Sequence, residues 1–233
     1  MVSKQIRQKT GRPWVKPIGR AFLAIFIGIY GQLALALLIW YMLGSTDQLS
    51  APAELGIKVA TIAIECSILL FIALDKEPLR KYINLNLPRR IFTGGVLCAI
   101  PLVAANRVMQ GWIIRFVHGE FAYYQSLTGS DFGATMFLFL QIAYYFLEVF
   151  VLVYAYAKLA DGLRAWRPLP RWTVVATGWF FLFVTWSLAH GFVVTNLLTF
   201  GIGLYLPLVF AALYEYTESQ ITPAITWLLF LAI

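Results

Sequence analysis

Apolar residues gather into seven runs, at about 21–43, 55–74, 91–116, 132–160, 172–190, 193–214 and 221–233. Most are separated by clusters rich in Gly, Pro, Ser or charge: GSTDQLSAPAE, DKEPLRKYINLNLPRR, HGEFAYYQSLTGSD and ADGLRAWRPLPR. At 1.5 Å per helical residue, the first six can each cross roughly 30 Å of hydrocarbon. The seventh, ITPAITWLLFLAI, reaches only about 20 Å and has no polar tail, so the natural chain is expected to continue beyond it. The pattern predicts an all-α, polytopic transmembrane helix bundle of six full spans plus a short or truncated seventh.

Composition agrees. The chain is 61% hydrophobic and 12% charged, well away from a soluble domain with about half its residues apolar and a quarter charged. The net charge of +7 does not point to nucleic acid, because the basic residues sit in short blocks between apolar runs. With the N-terminus cytoplasmic, segments 1–20, 75–90, 158–171 and 214–220 face inward and hold 15 of the 18 Lys and Arg. The exceptions are Lys58, Arg107 and Arg115. Such asymmetry sets orientation and predicts the N-terminus inside. The basic stretch MVSKQIRQKTGRPWVKPIGR leads into a full-length apolar run, so it reads as a retained first span rather than a cleaved signal. The expected location is a multi-pass position in a prokaryotic inner (cytoplasmic) membrane. Three parts follow: a basic segment 1–20, three helices over 21–131, and a four-helix core over 132–233.

Cys66 and Cys98 lie in apolar runs without ligand spacing, and read as small buried hydrophobes. No phosphate loop or metal cluster is visible; GIG and TGG are too short to count. No cofactor and no metal are expected.

Polar side chains inside the runs carry the candidate chemistry, since an ionisable group at that depth usually faces the bundle interior with a partner. Glu65 lies near the middle of the second run and Arg107, beside Asn106, past the middle of the third. Adjacent antiparallel helices can pair them, structurally or for proton or substrate handling; Arg107 can equally pair with Glu148. Glu148 and His190 form the second candidate. If the fourth helix continues through KLADGL to about Leu163, Glu148 stands roughly 22 Å above the RPLPR turn and His190 roughly 30 Å above it. A carboxylate beside a histidine can activate water and stabilise developing charge.

The order of these groups resembles the CPBP family, the CAAX-type and bacteriocin-processing (Abi) intramembrane proteases. That family shows EExxxR on one helix, FxxxH near the end of the next, a Tyr…Thr-Gly-Ser-like turn, and HxxxN on the last helix. Here FLEVFVLVYAYAKL, WSLAHGF, ALYEYTESQITPAI and TWLLFLAI occupy those places, over about residues 132–233. Glu148 matches one glutamate of the pair, while Leu147 and Val149 flank it. The arginine position falls on Leu152 or Val153. His190 matches the second-motif histidine, with Trp186 in place of Phe. Tyr214, Thr217 and Ser219 match the turn, with Glu218 in place of glycine. The last histidine falls on Trp227 or Leu228, and its asparagine on Leu231 or Ala232.

In the family a glutamate is thought to activate the attacking water, while histidines and asparagine bind substrate charge or the oxyanion. Leucine and tryptophan cannot replace those donors, and lost donors cost orders of magnitude in rate. The resemblance therefore implies a catalytically degenerate member acting as a structural or assembly subunit of a larger membrane complex. Its partners would be the lipid bilayer and other integral membrane subunits, and Glu148 and His190 would be a remnant catalytic site. Aromatic clusters in AYYFLEVFVLVYAYAKL and WFFLFVTW, with small residues at Gly94–Gly95 and Gly201–Gly203, suit close packing.

Three alternatives stay open. One is an active CPBP-type endopeptidase with Glu148 as base. A second holds a haem, metal or quinone on His118 and His190. The third is a small transporter using Glu65, Arg107 and Glu148 as a relay.

Overall fold

The computed structural model describes residues 12–43, 50–74, 100–101, 114–189 and 197–232. Among them all regular structure is helical, with no strand. Helix α1 (Val15–Ile25) runs through a π-helical turn (Phe26–Tyr30) into α2 (Gly31–Leu43). Then come α3 (Ala51–Leu74), α4 (Ile114–Thr128) and the 36-residue α5 (Asp131–Trp166). Helix α6 (Arg171–Leu182) continues into a second π-helical turn (Phe183–Ser187), and α7 (Leu197–Thr217) and α8 (Ile221–Ala232) close the chain. Among the described residues, three helices are long and apolar enough to cross a membrane: Val15–Leu38, Asp131–Trp166 and Phe200–Thr217. Helix α3 is equally long but carries Glu54, Lys58 and Glu65.

Helix α5 is the axis of the bundle. Residues 148–160 are buried on every side of it, Lys158 included, as expected of a helix apolar all round. Small residues set its neighbours. A Cβ on Gly28 would lie 2.9 Å from Val151 Cγ1 and 3.1 Å from Ile68 Cδ1, and one on Gly162 would meet Ile18 Cγ1 at 2.5 Å. These approaches make α1 antiparallel to α5, and Gly28 on Ile68 followed by Gln32 on Glu65 makes the same helical run antiparallel to α3. Helices α3 and α5 therefore run parallel, although they are not consecutive in sequence.

The structure corrects the sequence reading in two places. HGEFAYYQSLTGSD is not a plain connector, because α4 continues to Thr128 and folds back on α5. Tyr124 stacks on Phe137 at 5.1 Å and donates its hydroxyl to Gln141 at 3.2 Å. Gly129, at φ 68°, makes the reversal, and Ser130 caps α5 by accepting from the Gly133 N–H at 3.1 Å. Polar residues around Tyr124 hid this helix from an apolar-run reading. Cys66 is exposed rather than buried, because α3 turns Thr61, Glu65 and Ile68 inward and Cys66 falls off that stripe. Cys98 lies outside the described residues.

The last helices are locked through a proline. Pro207 has no N–H, so the Gly203 carbonyl one turn earlier loses its helical donor. The Ser187 hydroxyl donates to that carbonyl at 2.7 Å, and Trp179 Nε1–H donates to the Leu204 carbonyl at 2.8 Å. The Gly201–Gly203 pair thus serves helix contact at Gly203, whereas Gly201 faces open space.

Candidate functional site

Two carboxylates meet in one buried polar layer. Glu65 on α3 and Glu148 on α5 are 0% and 1% exposed. The parallel register brings them level: Lys58 Nζ donates to Gln141 Oε1 across 83 positions, and the same offset relates Glu65 to Glu148. Ile68 and Val151, related by it again, both press on Gly28. Each carboxylate is within electrostatic reach of the other, and Tyr144 is within reach of both.

Three donors compensate for the burial. Gln32 Nε2 donates to Glu65 Oε1 at 2.8 Å. Glu148 Oε1 accepts from Trp186 Nε1–H at 3.0 Å and from the Tyr144 hydroxyl at 3.2 Å. Charged groups out of water are tolerated only where such bonds reach them. Both π-helical turns abut this layer. Gln32 follows the first by two residues, and Trp186 lies within the second. A π turn inserts an extra residue and so re-aims the side chains after it.

Above the layer is a cavity of about 240 Å³, lined by Gln32, Lys58, Thr61, Tyr144 and Ala189 among others. Lys58, an exception to the basic-block pattern, is held inside the bundle. It pairs with Glu54 at 3.2 Å, donates to Gln141, and lies 5.3 Å over the Tyr124 ring. Rings pack around the Trp186 donor. Trp227 meets Tyr145, Trp186 and Phe210 edge-on at 6.2, 6.4 and 6.1 Å.

Of the residues singled out from sequence, Glu65 and Glu148 come together, two of the three groups that the transporter alternative placed in one relay. Arg107, Asn106 and His190 lie outside the described residues, as does the side chain of His118. Trp186, four positions before His190 in the sequence, donates to Glu148. Leu152 and Val153 are fully buried in the core. Leu228, Leu231 and Ala232 lie outside the described side chains. Gln32, Tyr144 and Trp186 are the site residues missed from sequence. A single amide in GQLALALLIW was the available signal for Gln32; a tyrosine or tryptophan in an aromatic-rich run gives none. Among the described residues no group of His, Cys, Asp and Glu is arranged to hold a metal ion.

Searches against protein-family models, curated proteins and solved structures find no match to this chain.

Proposed function

We propose that this chain is a catalytically degenerate, CPBP-like membrane protein that serves as a structural or assembly subunit of a larger membrane complex. It would cross a prokaryotic inner membrane several times with its basic N-terminus inside. The observation that carries the proposal is the state of Glu148. A water-activating carboxylate needs space for water and a donor set aimed at an oxyanion. Glu148 instead accepts from Trp186 and Tyr144, and the Trp186 ring packs on Trp227, which with Leu228 is one of the two places where the family's last histidine would fall. The turn supports the ancestry. Glu218, at the family's glycine position, has φ 50°, a conformation that favours glycine. Its N–H donates to the Tyr214 carbonyl at 2.7 Å, and the Ser219 N–H donates to Thr217 Oγ1 at 3.1 Å.

The test is purification in mild detergent, followed by a peptidase assay on prenylated and leader-peptide substrates. A stoichiometric membrane partner and no cleavage are expected. Cleavage that disappears in Glu148→Ala would overturn the reading.

The carboxylate pair beside the 240 Å³ cavity favours a second reading, a small cation- or proton-coupled transporter. It predicts proteoliposome flux that is abolished by Glu65→Gln and by Glu148→Gln; flux unchanged in both variants would dismiss it.

A further inference from the structure

A groove of about 420 Å³ runs between α6 and α7. Val175, Ala176, Leu208 and Ala212 line its length, and Trp179 lies toward one end, held by its indole N–H on the Leu204 carbonyl. Arg171 and Trp172 from α6 meet Glu215 and Tyr216 from α7 at the other end. Arg171 to Trp179 covers about 12 Å of helix. Trp172 and Tyr216 are 72% and 75% exposed, and exposed rings with a polar edge gather at the level of lipid headgroups. With α7 long and apolar enough to cross a membrane, Arg171 stands at headgroup height and the apolar length of the groove lies in hydrocarbon.

Pairing settles the charge at that end. Glu215 lines the groove, but Arg164 Nη2 donates to both of its oxygens and neutralises it. Asp161 and Glu218 lie near Tyr214, which packs on Tyr156, and neither is among the residues that line the groove. Arg171 is exposed and has no hydrogen-bond or ion-pair partner among the described residues. The first turn of α6 has no side-chain cap, so its positive end adds to the same charge.

We infer that this groove binds a phospholipid, with one acyl chain along Val175, Ala176, Leu208 and Ala212 and the phosphate on the Arg171 guanidinium. A guanidinium matches two phosphate oxygens with parallel N–H bonds, and the apolar walls suit a hydrocarbon chain. The phosphate is the group recognised, so a diacylglycerol with the same chains binds less well. The inference needs α6 and α7 to lie in a bilayer but does not depend on the assembly role proposed above.

The full chain in detergent, given equal amounts of dioleoyl phosphatidylcholine and dioleoylglycerol, is examined by native mass spectrometry. Phosphatidylcholine is expected to be retained in preference, by roughly tenfold for one charge-assisted pair. Arg171→Gln removes that preference, whereas Arg167→Gln, which takes a cation from the Trp166 ring outside the groove, leaves it intact. Ala176→Phe and Ala212→Phe each fill the groove and lower retention of phosphatidylcholine, with melting temperature as the check on folding. The inference is overturned by equal retention of the two lipids, by preference surviving in Arg171→Gln, by an equal loss in Arg167→Gln, or by full retention in both filled variants. A membrane subunit that is lost from Ala176→Phe while lipid retention stays unchanged would make the groove a protein interface and overturn it as well.

Discussion

Glu65 and Glu148 stand side by side at one height on two parallel helices, joined by the same offset that puts Lys58 on Gln141. Glu65 has one donor, Gln32, and its Oε2 has no partner among the described residues. Glu148 has Trp186 and Tyr144 on one oxygen. The layer is therefore unevenly supported, and Gln32 is the group on which Glu65 depends.

Gln32→Leu removes that donor while keeping the volume roughly constant. A loss of about 1–3 kcal/mol is expected for a buried acceptor left without its partner. Chemical unfolding in detergent measures it. In a Glu65→Leu background the same change should cost much less, since both partners are then apolar. An equal cost in both backgrounds would show that Gln32 acts independently of Glu65.

Trp186→Phe keeps a ring against Phe210 and Trp227 but removes the indole N–H from Glu148. We expect about 1–3 kcal/mol of destabilisation. Glu148→Gln retains a carbonyl oxygen able to accept the same bond and should be milder. Thermal melts of the two variants compare them; the opposite order would contradict the bond's structural role.

Ser187→Ala leaves the Gly203 carbonyl without a donor, because Pro207 supplies none. The expected cost is again about 1–3 kcal/mol. Pro207→Ala restores a backbone N–H opposite that carbonyl, so the loss from Ser187→Ala should shrink in the Pro207→Ala background. A double-mutant cycle reads this coupling directly.

Gly178→Ala places a methyl where Tyr156 Cε2 would be 2.0 Å away. Tyr156 is fully buried and ring-packed against Tyr214 at 5.5 Å, so it has little room to yield. Overpacking should cost about 1–3 kcal/mol. Tyr156→Leu in the same chain should recover part of it, seen as a partial return of the melting temperature.

Glu218→Gly relieves a left-handed backbone in a residue that carries a Cβ. A gain of about 1 kcal/mol, or roughly 2–4 °C in melting temperature, is expected. A lower melting temperature would mean that the Glu218 side chain contributes more than the backbone strain removes.

The apolar runs made the helices legible, because a long apolar stretch in water or lipid can satisfy its backbone only by coiling on itself. The runs at 21–43, 55–74, 132–160, 172–190, 193–214 and 221–233 each coincide with a helix over much of their length. The expected continuation of the fourth through KLADGL is present, since α5 ends at Trp166. Helix α4 was not legible, because its packing rests on Tyr124 and Gln141 rather than on a continuous apolar stretch.

Sequence alone determined that Glu65 and Glu148 are carboxylates in apolar runs, and that each therefore needs partners. Spacing along one chain gives heights within a helix but not which helices are neighbours. Tertiary structure decided that α3 and α5 lie parallel in register, because Gly28 lets Val151 and Ile68 close on α1 together. It also decided that a π-helical turn aims Trp186 at Glu148. The chemistry at Glu148 is thus set by close packing between distant segments, where a missing Cβ or one extra residue in a turn chooses the neighbour.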